Sequence, residues 1–167
     1  MRAPLIPGMV GGTTDAGGDP NAMTATTRAL LGFAAATLSV LTFHQGIWAL
    51  LYAAGLMPRG PFPMQPVPPF GVPQIVSLAF WGGLYGAVFG LALPRLPQAP
   101  LWLLGLGLGL VAVLVGWFVV APLRGQPVAG GFVPVRMLVS VLINGGWGVG
   151  VGLILSLLGG RLATAAS

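Results

Sequence analysis

The residues with the most chemical potential in this sequence lie within apolar stretches. His44, the only histidine, precedes Gln45 in the run "LTFHQGIWALLYAAG", and Asn144 and Trp81 occupy comparable runs further along. Polar groups in hydrocarbon need hydrogen-bonding partners, and ionisable groups there often mark function. His44, Gln45, Asn144 and Trp81 therefore form the candidate intramembrane polar site.

Few chemistries are open to this set. The only carboxylates are Asp15 and Asp19, near the amino terminus, and the chain has neither lysine nor cysteine. Acid–base pairs, carboxylate metal clusters, thiol nucleophiles and Schiff bases therefore lack their residues. We expect no enzyme activity, no catalytic residue and no bound cofactor or metal.

A haem or metal role for His44 remains an alternative. One histidine supplies one ligand, so a second would have to come from a symmetric dimer or a partner subunit. A structural role is the simpler interpretation, with a neutral imidazole hydrogen-bonded within the bundle or across a subunit contact. Gln45 and Asn144 are interpreted as interhelical hydrogen-bonding residues, and Trp81, Tyr85 and Trp147 as packing residues.

The elements that position these side chains follow from composition. Hydrophobic residues make up 56% of the 167 residues and charged residues 5%, far below the roughly 25% charged content of soluble domains. Four apolar segments are each long enough to cross a hydrocarbon core of about 30 Å. The sequence predicts an all-α integral membrane protein with four transmembrane helices in a small bundle. The predicted spans are 29–55, 74–93, 101–121 and 137–158.

The remaining segments divide the chain into a domain and two tails. Residues 1–28 lack hydrophobic periodicity and are predicted to be a disordered tail, with Met1 or Met23 as the start of translation. The transmembrane domain takes residues 29–160, and 161–167 form a short carboxyl-terminal tail. The first connection, "MPRGPFPMQPVPPFGVP", holds seven prolines and is interpreted as a stiff lid over the helix ends, with partner docking as the alternative.

Charge bears on partners and orientation. The net charge of +5 comes from arginines scattered singly through the tails and connections, which excludes a phosphate-tracking patch and predicts no nucleic-acid binding. The lipid bilayer is the expected partner, together with a homo-oligomer or a membrane-protein complex. Near the membrane, three arginines flank each side, so their number does not orient the bundle. Cytoplasmic termini are favoured because the arginines on that side lie in the tail and in short connections.

Glycine spacing indicates how the helices pack. Small residues recur every four positions on one face of each of the last three spans, which allows close backbone approach in lipid. The predicted packing glycines are Gly82, Gly86, Gly90, Gly105, Gly109, Gly148 and Gly152. In the first span, a helical wheel places Ser39, Thr42, Gly46, Ala49 and Ala53 on the small-residue face, with His44 pointing away from it.

A weak internal repeat relates the two halves of the domain. At an offset of 63, "VSLAFWGGLYGAV" aligns with "VSVLINGGWGVGV". Two helical hairpins of the same orientation would then be related by an axis along the membrane normal. The alternative is chance similarity between glycine-rich spans.

The stretches "FHQGIWALLYAAGLMP" and "PPFGVPQIVSLAFWGGLYGAVFGLALPRLP" resemble small uncharacterised four-span inner-membrane proteins of GC-rich proteobacteria. The resemblance implies a bacterial inner-membrane location and brings no activity, cofactor or functional residue. Three hypotheses follow: a non-catalytic accessory or scaffold subunit packing through glycine faces, a small transporter or channel for a small solute, and a cofactor-binding subunit using His44.

Overall fold

The computed structural model describes residues 23–158, and four long apolar helices account for most of them. Helix α1 is Ala25–Ala53, α2 is Gln74–Arg95, α3 is Leu101–Leu123 and α4 is Pro134–Leu158. Each is long and apolar enough to cross a membrane, which confirms the mostly helical prediction and its four candidate spans. The predicted tails 1–22 and 161–167 lie outside the described residues.

Helix α1 begins four residues before the predicted start. The side chain of Thr24 caps it by accepting a hydrogen bond from the Thr27 backbone N–H at 3.1 Å, so 25–28 belong to the helix and not to the predicted tail. The helix ends at Ala53, and Gly55 follows two residues later with a φ of +74°, which suits a residue without a side chain. A matching end occurs in α3 at Gly125, with φ +65°.

Two close helix pairs build the bundle. Helix α1 packs against α2, α3 packs against α4, and α1 meets α4 at the centre. Helices α2 and α3 make few contacts with each other, although they are consecutive. The end where α1 begins and α4 finishes is called the terminal end, and the opposite one the loop end.

Glycines allow the backbones of the two helices in each pair to approach closely. A side-chain carbon at any of the seven predicted packing glycines would overlap atoms of a neighbouring helix. Gly86 lies on Gly32 and Gly90 lies on the Arg28 carbonyl in one pair. Gly148 lies on Gly105 and Gly152 on the Leu101 carbonyl in the other.

Helices α1 and α3, the first helix of each pair, both contain a π-helical turn after 15 α-helical residues. These turns are Val40–His44 in α1 and Gly116–Val120 in α3. A π turn adds about one residue, so side chains beyond it are rotated by roughly 100° relative to a regular wheel.

The π turn explains why the predicted small-residue face of α1 is wrong. Thr42 is exposed and nothing lies within 4 Å of a carbon added at Gly46, whereas His44 and Gln45 are buried. The face that packs runs through Gly32, Ala36 and Ser39. The wheel assumed one uniform rotation per residue, which fails across the turn.

The first connection folds back onto the loop end of α1. It carries a two-residue antiparallel pair, β1 Pro66–Val67 and β2 Val72–Pro73, and exposes Phe70 at its tip. The Trp48 indole donates a hydrogen bond to the Arg59 carbonyl at 2.8 Å. The segment therefore lies along the helix it follows.

Candidate functional site

A lateral cleft separates α2 from α3. It has a volume of about 890 Å³, and its floor is formed where α1 and α4 meet. Val40 and Trp147 contribute to that floor, and Pro68 and Pro69 of the first connection also line the cleft. The cleft exists because α2 and α3 pack against different central helices.

The walls of the cleft are apolar. Trp81, Leu84 and Val88 line it from α2, and Val111 and Val115 face them from α3. Trp81, Val88 and Val111 are more than half exposed, with Trp81 at 57% of its surface. A surface of this kind is suited to hydrocarbon and unsuited to water.

Four polar residues interrupt the apolar lining of the cleft. His44, Ser77, Asn144 and Arg124 all line it. Val40 meets Gly82 of α2, so His44, four residues further along α1, lies about one helical turn inside the start of α2 at Gln74. His44 and Ser77 therefore lie towards the loop end of a predominantly apolar groove, whereas Asn144 contacts Gly109 in the first half of α3.

A hydrogen-bond chain holds His44 from behind. The Phe62 backbone N–H, which can only donate, donates to Gln45 Oε1 at 2.6 Å. The amide nitrogen of Gln45 therefore faces His44, and Nε2 donates to His44 Nδ1 at 3.2 Å. In the neutral imidazole the proton is then on Nε2, which leaves an N–H donor available for another partner.

Gln45 does not make the predicted interhelical hydrogen bond. It is buried, with 1% of its surface exposed, and it links α1 to the first connection instead of to another helix. The interhelical prediction is wrong because the connection folds back to this level of α1. The proline-rich sequence indicates a stiff segment but carries no signal for that contact.

Asn144 also departs from its predicted partner type. Its Nδ2 donates to the Ser140 carbonyl of its own helix at 2.9 Å. It makes no hydrogen bond with His44, although both line the cleft. Trp81 lines the same cleft, so the structure brings three of the four candidates to one groove and places Gln45 behind it.

Two interhelical hydrogen bonds between α1 and α4 come from residues outside the candidate polar site. Ser39 Oγ donates to the Trp147 carbonyl at 2.6 Å, and Trp147 Nε1 donates to the Ala36 carbonyl at 3.1 Å. Trp147 also packs edge-on against Tyr85. These bonds join α1 to α4 directly beneath the cleft and fix its floor.

A second, smaller cleft opens between α3 and α4 at the loop end. Its volume is about 450 Å³, and Gln126, Arg136 and Ser140 give it a more polar lining. Arg136 Nη1 donates to the Gly130 carbonyl at 3.4 Å. Ala112, Gly116 and Asn144 border both clefts, so the two clefts are neighbours.

Arg124 is the residue of the site that sequence reasoning missed. Its position after the third span identifies it only as a flanking charge, and its place at the cleft follows from how α3 packs. Comparison of the chain with protein-family models, with curated proteins and with solved structures found no match.

Proposed function

We propose that this chain is a non-catalytic accessory or scaffold protein of the bacterial inner membrane, crossing it four times with both termini in the cytoplasm. Its four helices satisfy their own backbone hydrogen bonds, as a membrane requires. Its outer faces carry large apolar side chains such as Leu30, Leu50 and Phe118. In this proposal it acts by holding a hydrophobic ligand or neighbour in the lateral cleft.

The observation that carries the proposal is the separation of α2 from α3. Each is fixed to a central helix by glycine contacts that leave no room for a side chain, and the central helices are joined through Ser39 and Trp147. The frame is therefore tightly packed while the groove between its outer helices stays open. Rigid elements that border an apolar groove are suited to binding.

Two similar hairpins support this architecture. The contact of Gly86 with Gly32 corresponds to that of Gly148 with Gly105, and both first helices carry a π turn and are followed by a glycine with positive φ. Gly86 and Gly148 differ by 62 positions, whereas Gly32 and Gly105 differ by 73, so the two hairpins share a packing pattern but not one sequence offset.

Purification in mild detergent followed by mass analysis tests the binding role. Val111→Trp fills the cleft, whereas Leu114→Trp adds the same bulk on α3 at a similarly exposed residue that does not line the cleft. We expect a non-covalently retained molecule in the original protein and in Leu114→Trp, and its loss in Val111→Trp. Equal retention in both variants would contradict the proposal.

Cysteine labelling tests the membrane topology, since the chain has no cysteine of its own. Phe70→Cys places a thiol at the tip of the first connection and Gln98→Cys places one at the terminal end. A membrane-impermeant maleimide applied to intact cells should label only Phe70→Cys. Labelling of Gln98→Cys alone would reverse the orientation.

The small polar cleft favours a second candidate, a transporter or channel for a small solute. Asn144 is the polar residue among the three that line both clefts, so a solute passing from the polar cleft to the larger one would meet its side chain. Solute flux in proteoliposomes that changes with Asn144→Leu, and not with Ser156→Leu outside both clefts, would support it. The cofactor alternative has less support because Gln45 donates to His44 Nδ1, which leaves the proton on Nε2, the nitrogen that would otherwise be available to a metal.

A further inference from the structure

The lateral cleft combines an apolar groove with a cation, Arg124, and a hydrogen-bond donor, His44, among its lining residues. We infer that it binds an anionic glycerophospholipid, with the phosphate at Arg124, an ester carbonyl at His44 Nε2 and an acyl chain between α2 and α3. The inference rests on the proposed binding role of the cleft and identifies its ligand class.

Charge complementarity argues for an anionic head group. Residues 23–158 contain five arginines and no carboxylate, and within them the Arg124 side chain makes no hydrogen bond. The guanidinium of Arg124 is suited to a phosphate, which accepts its paired N–H groups.

His44 adds a second recognition element. Because Gln45 donates to Nδ1, the Nε2–H of the neutral ring points to a different partner, and the cleft borders this residue. An ester carbonyl of a lipid lies just below its phosphate and has no donor of its own. His44, about one turn inside the loop end, is placed to donate to such a group.

The dimensions of the groove fit a lipid chain better than a helix. From Ser77 to Val88 the α2 wall extends about 17 Å, close to half of the roughly 30 Å hydrocarbon core. A volume of about 890 Å³ over that length gives a mean cross-section of about 50 Å². A helix of about 10 Å diameter needs about 80 Å², so the groove is too narrow for one.

Native mass spectrometry of the full chain in mild detergent tests the inference, using phosphatidylglycerol and phosphatidylcholine with identical acyl chains. We expect phosphatidylglycerol to bind about fivefold more tightly, the effect of one arginine near an anionic head group. Arg124→Gln should abolish this preference. Arg136→Gln removes the same charge at the same end of the bundle, beside the other cleft, and should retain it.

Substitutions of His44 provide a second, independent test of the inference. His44→Phe should weaken both lipids equally, by about twofold to tenfold, since the ester carbonyl is common to them. His44→Gln retains a donor and should restore binding, which separates recognition from a folding defect.

Equal affinity for the two lipids would overturn the inference. So would equal effects of Arg124→Gln and Arg136→Gln on binding, or a polypeptide as the retained mass. A retained molecule that Val111→Trp displaces but that is not an anionic lipid would overturn only this inference. Lipid binding that is unaffected by Val111→Trp would overturn it together with the proposed function.

Discussion

Replacement of Gly148 by alanine tests how closely α3 and α4 approach. The added carbon would lie 2.8 Å from the Gly109 nitrogen and 2.9 Å from its Cα, and it would overlap the Gly105 carbonyl oxygen. Ordinary contacts of this kind are 3.4–4 Å. All three partners are backbone atoms, which cannot rotate away, so the helices themselves must separate.

The loss of stability caused by Gly148→Ala can be compared with the effect of the same substitution at Gly107. Overpacking costs about 1–3 kcal/mol, and backbone partners place Gly148→Ala in the upper part of that range, at about 2–3 kcal/mol. Alanine recovers about 1 kcal/mol of helix propensity. Gly107→Ala, also in a helix of this pair, has the same gain without the clash, because nothing lies within 4 Å of its added carbon.

The free energies of unfolding of the two variants should therefore differ by about 2–3 kcal/mol, or about 4–12 °C in unfolding temperature. Thermal unfolding in one detergent, followed by tryptophan fluorescence, measures this difference. Gly105→Ala combined with Gly148→Ala should cost less than the two single changes together, since one separation of the helices accommodates both. An unfolding temperature for Gly148→Ala equal to or above that of Gly107→Ala would refute the close-packing argument.

Three further predictions concern the polar site and the tail. Gln45→Leu should leave the Phe62 N–H without its acceptor and lower the stability of the first connection by about 1–3 kcal/mol. Proteolysis of this connection should then be faster than in the original protein, and Gln65→Leu should leave its rate unchanged. Equal rates in the two variants would contradict the role of Gln45 in holding the connection. His44→Gln should leave the visible absorption spectrum unchanged, because we expect no haem or metal, and a Soret band lost in this variant would reverse that expectation. A chain that starts at Met23 keeps the Thr24 cap and should retain its unfolding temperature in detergent; a marked decrease would show that the tail stabilises the bundle.

Much of the fold was predictable because it depends on local sequence. The length of the apolar segments alone identifies the four candidate spans, and the proline and glycine residues between them place their ends within a few residues. The four-residue spacing of Gly82, Gly86 and Gly90 indicates a helix face with no side chains, and in the structure that face lies against α1. These features need no knowledge of which helices are neighbours.

The candidate site was predictable only in part. Residue type and position along the spans identify His44, Asn144 and Trp81 as unusual, and the structure places all three on one cleft. The wheel failed for α1 because the π turn at Val40–His44 changes the rotation of every later residue. Sequence periodicity gives no warning of one extra residue in a turn.

The sequence by itself determined the class of protein, its four apolar helices and the glycine faces, because each follows from side-chain hydropathy and spacing within one segment. Only the tertiary structure decided that α2 and α3 stand apart and that Gln45 holds both the first connection and His44. It also decided that Arg124 reaches the same groove. These features arise from contacts between segments distant in the chain, where the close approach permitted by glycine on one pair of helices fixes the space left between the others.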